Sequence, residues 1–449
     1  MQAQAIPLIS HTDPEQIVAW QDGAAVSARQ FLADVAHLAA RLPQGKHLLN
    51  MCSDRYHFTV GLAAAIVSGK VSLLPPSHTA EMVGQLLRYA PDVFCLSEQE
   101  QPSIALPQML YPGVPAPTAG TFSIPQIDAK QRIAVVFTSG STGIPQPHAK
   151  TWGAVVHSVK AEAARLGLTG DTSYTLIGTV PPQHMYGLES TVLMALHSGN
   201  ALSNQQPFYP ADICETIAAV PAPRVLISSP VHLRTLLDSG LQPAALALVV
   251  SATAPLSTEL AHDIETRCDA PLLEIYGSTE TGLIATRRPT RSEEWQLLPG
   301  ISLIAEGERV HASSEYIAPP IAMHDLIVST AADRFLLHGR TADLVNIAGK
   351  RNSLANLDHH LNSILGVVDG AFYMPDESSP DRVTRLAAFV VAPALDAQHL
   401  LAALRERMDA AFLPRPLIFL DKLPRNRTGK LPRAALQALL HTHYAKSAA

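Results

Sequence analysis

Residues 138–145 read Thr-Ser-Gly-Ser-Thr-Gly-Ile-Pro, so Thr138, Ser139, Gly140, Ser141, Thr142 and Gly143 set four hydroxyls and two glycines side by side. Glycines let consecutive backbone N–H groups turn toward one point and hydroxyls add donors, which suits a polyphosphate. The commoner nucleotide loops, GxxxxGK[ST] and GxGxxG, are absent from the chain, and taken alone this loop reads equally well as a flexible turn. A second cluster, Tyr276, Gly277, Ser278, Thr279 and Glu280, combines an aromatic face, two hydroxyls and a carboxylate. Such a set can stack a purine and hold a hard cation such as Mg²⁺, although singly Tyr276 fits a core and Glu280 a solvated surface. A third group runs from His324-Asp325 to Gly339-Arg340, then Asp343, Gly349 and Arg351. A fourth, residues 423–433 (LPRNRTGKLPR), carries Lys430 in a stretch that would otherwise be a basic surface tail.

Elements must hold these groups. Helical periodicity over residues 27–42 and 79–89 alternates with short apolar runs at 47–51 and 71–74, a pattern of α/β layers. Residues 133–137 are apolar and partly β-branched, as expected of a buried strand feeding the hydroxyl-rich loop. Proline recurs across residues 101–126, which predicts a surface connector. Beyond Arg340 the pattern changes to a smaller α/β segment, with helices near 354–365 and 397–411 and a strand near 386–391. The expected architecture is therefore a large N-terminal domain of layered α/β subdomains, residues 1–340, followed by a small α+β domain, residues 341–449.

A chain of 449 residues exceeds the size of a single growing core, so two domains are the default. A net charge of −6 with no basic stripe argues against nucleic acid. The most apolar runs, 58–69 and 241–250, are shorter than a membrane span requires and read as buried helix or strand. No signal peptide is evident at the N-terminus, and Cys52, Cys95, Cys214 and Cys268 lack metal or disulfide spacing, which fits a reducing cytoplasm.

In this order and at these separations, the four clusters resemble the adenylate-forming superfamily of acyl-CoA synthetases, adenylation domains and luciferases, and the resemblance covers nearly the whole chain. The superfamily's TSGSTGxPK loop is matched by residues 138–145, its YGxTE by Tyr276, Gly277, Thr279 and Glu280, and its terminal PxxxxGK by Pro424, Gly429 and Lys430. The resemblance implies ATP and Mg²⁺ as cofactors, with residues 138–143 around the phosphates and Thr138 and Glu280 near the metal. It assigns Tyr276 to adenine, with Gly277, Ser278 and Thr279 beside it, Asp325 and Arg340 to the ribose, and Arg351 to the phosphates in one domain orientation. Lys430 would bridge carboxylate and α-phosphate, where two anions must meet and a positioned cation lowers their repulsion. His184 matches the PxxHxxG segment at the acyl pocket, although a lone histidine is more often structural.

Three departures stand out. Ala252 and Thr253 replace the two glycines of an SGGAPL turn and should shorten the acyl pocket. Gln146 replaces the lysine that ends the phosphate loop, leaving Lys150 as a substitute to consider. Ala342 replaces the hinge acid, with Asp343 one place later. The expected activity is an AMP-forming ligase that moves an aromatic or short acyl group to the phosphopantetheine of an acyl carrier protein, on a closer resemblance to compact ligases of aryl polyene and xanthomonadin-type pigment clusters. The alternatives are transfer to coenzyme A and, from a different class, a non-catalytic adenylate-binding relative. A luciferase-like outcome needs no extra motif.

Overall fold

The computed structural model describes residues 4–113, 118, 121–138, 146–307, 309–317, 319–323, 325–340, 344–347, 350–375, 385–426 and 429–448. Two sheets carry the large domain. The first orders six strands as Gln146–Thr151, Arg132–Thr138, Val71–Leu74, His47–Asn50, Val93–Ser97 and Gln108–Leu110. All its pairings are parallel except the one joining Gln146–Thr151 to Arg132–Thr138. The second, eleven-stranded sheet has a parallel centre running through Thr175–Gly178, Arg224–Ser228, Leu248–Ser251 and Leu272–Ser278. It continues antiparallel through Gly282–Arg287, Trp295–Leu297, Arg334–Arg340 and Asp325–Ala331. Parallel strands are covered on both faces, which is why Leu176, Ile177, Val225, Leu226, Val249 and Val250 are all fully buried.

Capping fixes where the helices start. Ser27 accepts from the Gln30 N–H, Thr79 from Met82, Ser257 from Leu260 and Asp396 from His399, each satisfying an N–H the helix leaves open. The apolar run at 58–69 is a helix, Arg55–Val67, buried on every side. The proline-rich connector departs from expectation at one point: Gln108–Leu110 adds an edge strand parallel to Val93–Ser97. Local bonds organise it, since the Gln108 amide ties the carbonyls of Gln101 and Ile104.

From Val345 onward the chain has cores of its own. Leu357, Leu361, Phe372 and Leu400 form one, and Phe389, Ile418, Leu436 and Leu440 another, on the two faces of the sheet Asp369–Tyr373, Ala387–Val391, Leu417–Phe419. The cores of the large domain draw on residues no later than Leu337. The fold is thus a large α/β N-terminal domain with a smaller C-terminal α+β domain. Among the described residues no helix is long and apolar enough to cross a membrane.

Candidate active site

In open α/β sheets, ligand-binding loops gather at the carboxyl ends of parallel strands. Here Thr138 ends Arg132–Thr138, Ala252 and Thr253 follow Leu248–Ser251, and Ser278 to Glu280 leave Leu272–Ser278. Gly277 permits the last of these turns. A Cβ there would lie 2.4 Å from the Gly282 carbonyl oxygen, so no side chain fits where the ladder bulges back on itself.

Thr138 and Glu280 are joined by a residue not anticipated from sequence. His148 Nε2 lies 3.0 Å from Thr138 Oγ1 and 3.4 Å from Glu280 Oε1. Burial lowers the His148 pKa, with Glu280 pulling the other way. Burial also acts to raise Glu280, but its own backbone N–H, the Ser278 hydroxyl, His148 and Lys150 together hold its carboxyl below the usual value. The outcome is an ionised, partly exposed carboxylate beside a hydroxyl, a donor set that fits a hard cation flanked by phosphate oxygens.

Lys150 corrects the idea that it substitutes for the missing loop lysine. Its buried ammonium bonds the carbonyl oxygens of Thr279 and Glu280, the latter at 3.4 Å, and so fastens the turn that presents Glu280. Gln146 is exposed and pairs across the ladder with Thr138. The signal for His148 and Lys150 was alternation: residues 146, 148 and 150 project from one face of their strand.

Tyr276 donates to Asp325 Oδ2 at 2.5 Å while its ring packs against Trp295 and Phe335. The strand beneath is anchored by the buried Glu274, whose carboxylate bonds Arg287 at 2.6 Å. Asp325 stands opposite Arg340 in the antiparallel pair, so these two positions are brought together. Arg351 pairs with Asn346 in a hairpin at the start of the small domain. Ser139, Gly140, Ser141, Thr142, Gly143, Ala342 and Asp343 lie outside the described residues.

His184 sits in a loop curled by Gly187, where a Cβ would meet the Pro181 carbonyl oxygen at 2.0 Å. The loop is pinned from behind by Arg55, wholly buried, which donates to the carbonyls of Gly178 and Val180 and to Thr191 Oγ1. Burial, and then the charge of Lys430, bring the His184 pKa down to about 4, so the imidazole is neutral at physiological pH. Asn426 holds the lysine's turn through bonds to its N–H and carbonyl, Arg425 ties the turn to Asp369 by two bonds, and Gly429 packs on Val231 of the large domain. Near the same strand ends Ala252 is buried, and Thr253 takes φ = +83°, a conformation that glycine adopts freely and a β-branched residue avoids.

A hydroxyl and a carboxylate meeting at one histidine, a tyrosine bonded to an aspartate and a lysine turn seated on the large domain make up the candidate site. Residues 10–311 match the model of the AMP-binding enzyme family. The 4-coumarate–CoA ligase of Rhodobacter capsulatus is 31% identical over 302 residues, 66% of this chain and 74% of that protein. The 4-chlorobenzoate–CoA ligase of an Arthrobacter species is 25% identical over 351 residues, 69% of this chain and 66% of that protein. The O-succinylbenzoate coenzyme A synthetase of Bacillus subtilis, solved with ATP and a magnesium ion, superposes with a TM-score of 0.81 at 19% identity, covering 97% of this chain and all of that one. The chain belongs to the AMP-binding enzyme family. It is an AMP-forming acid–thiol ligase. The resemblance to pigment-cluster ligases gains no support from these relatives.

Proposed function

We propose that this ligase activates an aromatic or short carboxylic acid with ATP and Mg²⁺ and transfers the acyl group to coenzyme A. The observation that supports it is the seating of the Lys430 turn on the large domain, Gly429 against Val231, together with the meeting of Thr138 and Glu280 at His148. In the first half-reaction a carboxylate oxygen attacks the α-phosphorus, the bond to the bridging oxygen breaks, and pyrophosphate leaves. Lys430 lowers the repulsion between the two anions, residues 138–143 cradle the phosphates, Tyr276 and Asp325 with Arg340 hold the nucleoside, and neutral His184 lines the acid. Glu280 and Thr138 would hold Mg²⁺, which would supply charge neutralisation at the phosphates. In the second half-reaction a thiolate attacks the acyl carbon and AMP leaves. We assign the boundary to Arg340, with residues 1–340 and 341–449 as domains, Ala342 and Asp343 as hinge, and Arg351 approaching the phosphates in one orientation.

The relatives, ligases named for aromatic acids and coenzyme A, favour coenzyme A over the carrier protein expected from sequence. Four free cysteines suit a cytoplasmic setting. The test is acid-dependent pyrophosphate release across aryl and fatty acids, followed by competition between coenzyme A and a holo acyl carrier protein. Release with no acid would end the ligase reading, and preference for the carrier would restore the alternative acceptor.

A further inference from the structure

Behind the turn that presents Glu280 lies a cavity of about 330 Å³, at the small end of the roughly 300–1,000 Å³ common for ligand pockets. Its walls come from the helix Trp152–Arg165, the segment around Met185 and Glu189, the start of Gly282–Arg287, and the loop that carries Tyr316. They are largely apolar: Val155, Met185, Leu283, Ile301 and Ile317, closed by the Tyr316 ring, which stacks on His157 at 4.1 Å. Glu280 belongs both to this lining and to the nucleotide-side cluster, and Met185 adjoins His184. The cavity and the nucleotide-side cluster therefore share the Glu280 wall.

One wall is not apolar. Glu189 is 1% exposed, lines the cavity, and its Oε2 has no hydrogen-bond partner among the described residues. The Ser158 hydroxyl lies beside it and acts on its carboxyl, and a Cβ placed on Gly282 would lie 3.2 Å from Glu189 Oε1 and 3.5 Å from Ser158 Oγ. The nearby cation, Lys150, is committed to the carbonyls of Thr279 and Glu280. An open carboxyl oxygen inside an apolar pocket is costly unless something donates to it, because desolvation removes its water and nothing in the protein replaces it.

We propose that Glu189, assisted by Ser158, is the specificity-determining group of this cavity and that the ligase selects aromatic acids bearing a hydrogen-bond donor, a hydroxyl or amino group, at the ring end remote from the carboxylate. The inference rests on the ligase reading above. Donor-bearing acids complete the valence of Glu189, whereas a methyl group of the same size leaves it buried and unpaired. Sites built to bond a substrate hydroxyl discriminate far more strongly than apolar pockets do.

The experiment compares ring-substituted benzoates and cinnamates in matched pairs, hydroxy or amino against methyl, by acid-dependent pyrophosphate release. Wild type should favour the donor member by at least about 10²-fold in kcat/KM. Glu189→Leu should erase or reverse that preference, and Glu189→Gln, which keeps an acceptor, should retain part of it. Equal rates within the wild-type pairs, or a Glu189→Leu enzyme that keeps the preference, overturns the proposal while leaving the ligase reading intact. Release with no acid at all sinks both. If Glu189→Leu does not fold, the wild-type pairs decide alone.

Discussion

Lys430 projects from a turn held by Asn426, and its charge is felt at His184. Lys430→Ala should slow acyl-adenylate formation by about 10² to 10³ fold, as other preorganised electrostatic groups do, while thioester formation from supplied acyl-adenylate is spared. Separate assays of the two half-reactions check this, and equal losses would remove the lysine from its role. Thr253 permits a second prediction. A left-handed conformation costs a non-glycine residue roughly 1–2 kcal/mol, and glycine returns part of that through chain entropy of about 0.4–1 kcal/mol. Thr253→Gly should therefore hold or raise stability, by about 0–1.5 kcal/mol in urea unfolding, while pyrophosphate release shifts toward longer acids. At this scale the sequence reading rests on residue types that announce a chemistry, as Glu280, Tyr276 and Lys430 do. It was silent on His148 and Glu189, whose importance comes from which strands and helices are folded together. The positive φ of Thr253 follows from the same limit: two glycines were missed from a turn, but sequence does not say which position needs the left-handed backbone.

The helix Trp152–Arg165 buries Trp152, Val155, Val156 and Val159, and it also buries Glu162, beside the Ser190 hydroxyl. Burial pushes Glu162 up to about 8 and Glu189 up to about 7, Lys150 offsetting part of the latter shift. A carboxyl raised above its unfolded value keeps a proton that the unfolded chain has released. Its contribution to stability is complete below about 4.5 and is lost as pH rises toward 8, at up to about 1.4 kcal/mol per pH unit for each proton. Histidines act in the opposite direction: burial lowers His184 to about 4 and His197 to about 3, so their contribution is complete above 6.5 and is lost as pH falls through those values. Melting temperature should therefore be highest where the two windows overlap, at about pH 4.5 to 6.5, because the opposing slopes offset each other there. Glu162→Gln should flatten the alkaline limb between about pH 4.5 and 8, and an unchanged limb in a pH series of melts would show that Glu162 is ionised throughout. The buried strands and several helices were legible from apolar runs and from helical periodicity. The edge strand Gln108–Leu110 was not, because its pairing comes from Val93–Ser97 and not from its own proline-rich surroundings.

Over the whole molecule, the Lys430 turn of the small domain is seated on the large domain through Gly429 and Val231. An ideal Cβ on Gly429 would lie 3.6 Å from Val231 Cβ, within the 3.5–4.5 Å that a disulfide spans. Val231→Cys combined with Gly429→Cys should therefore cross-link the domains on oxidation, with some strain because Gly429 has φ = +80°. If the small domain rotates between half-reactions, the cross-link should hold it in the arrangement in which Gly429 meets Val231. The oxidised enzyme should then still release pyrophosphate in a single turnover and retain its acyl-adenylate, but form thioester at least about tenfold more slowly than the same protein after reduction. Comparing oxidised and reduced forms of one variant separates the effect of the cross-link from that of the substitutions beside Lys430. If the oxidised form makes thioester at the reduced rate, this domain arrangement supports both steps and rotation is not part of the cycle.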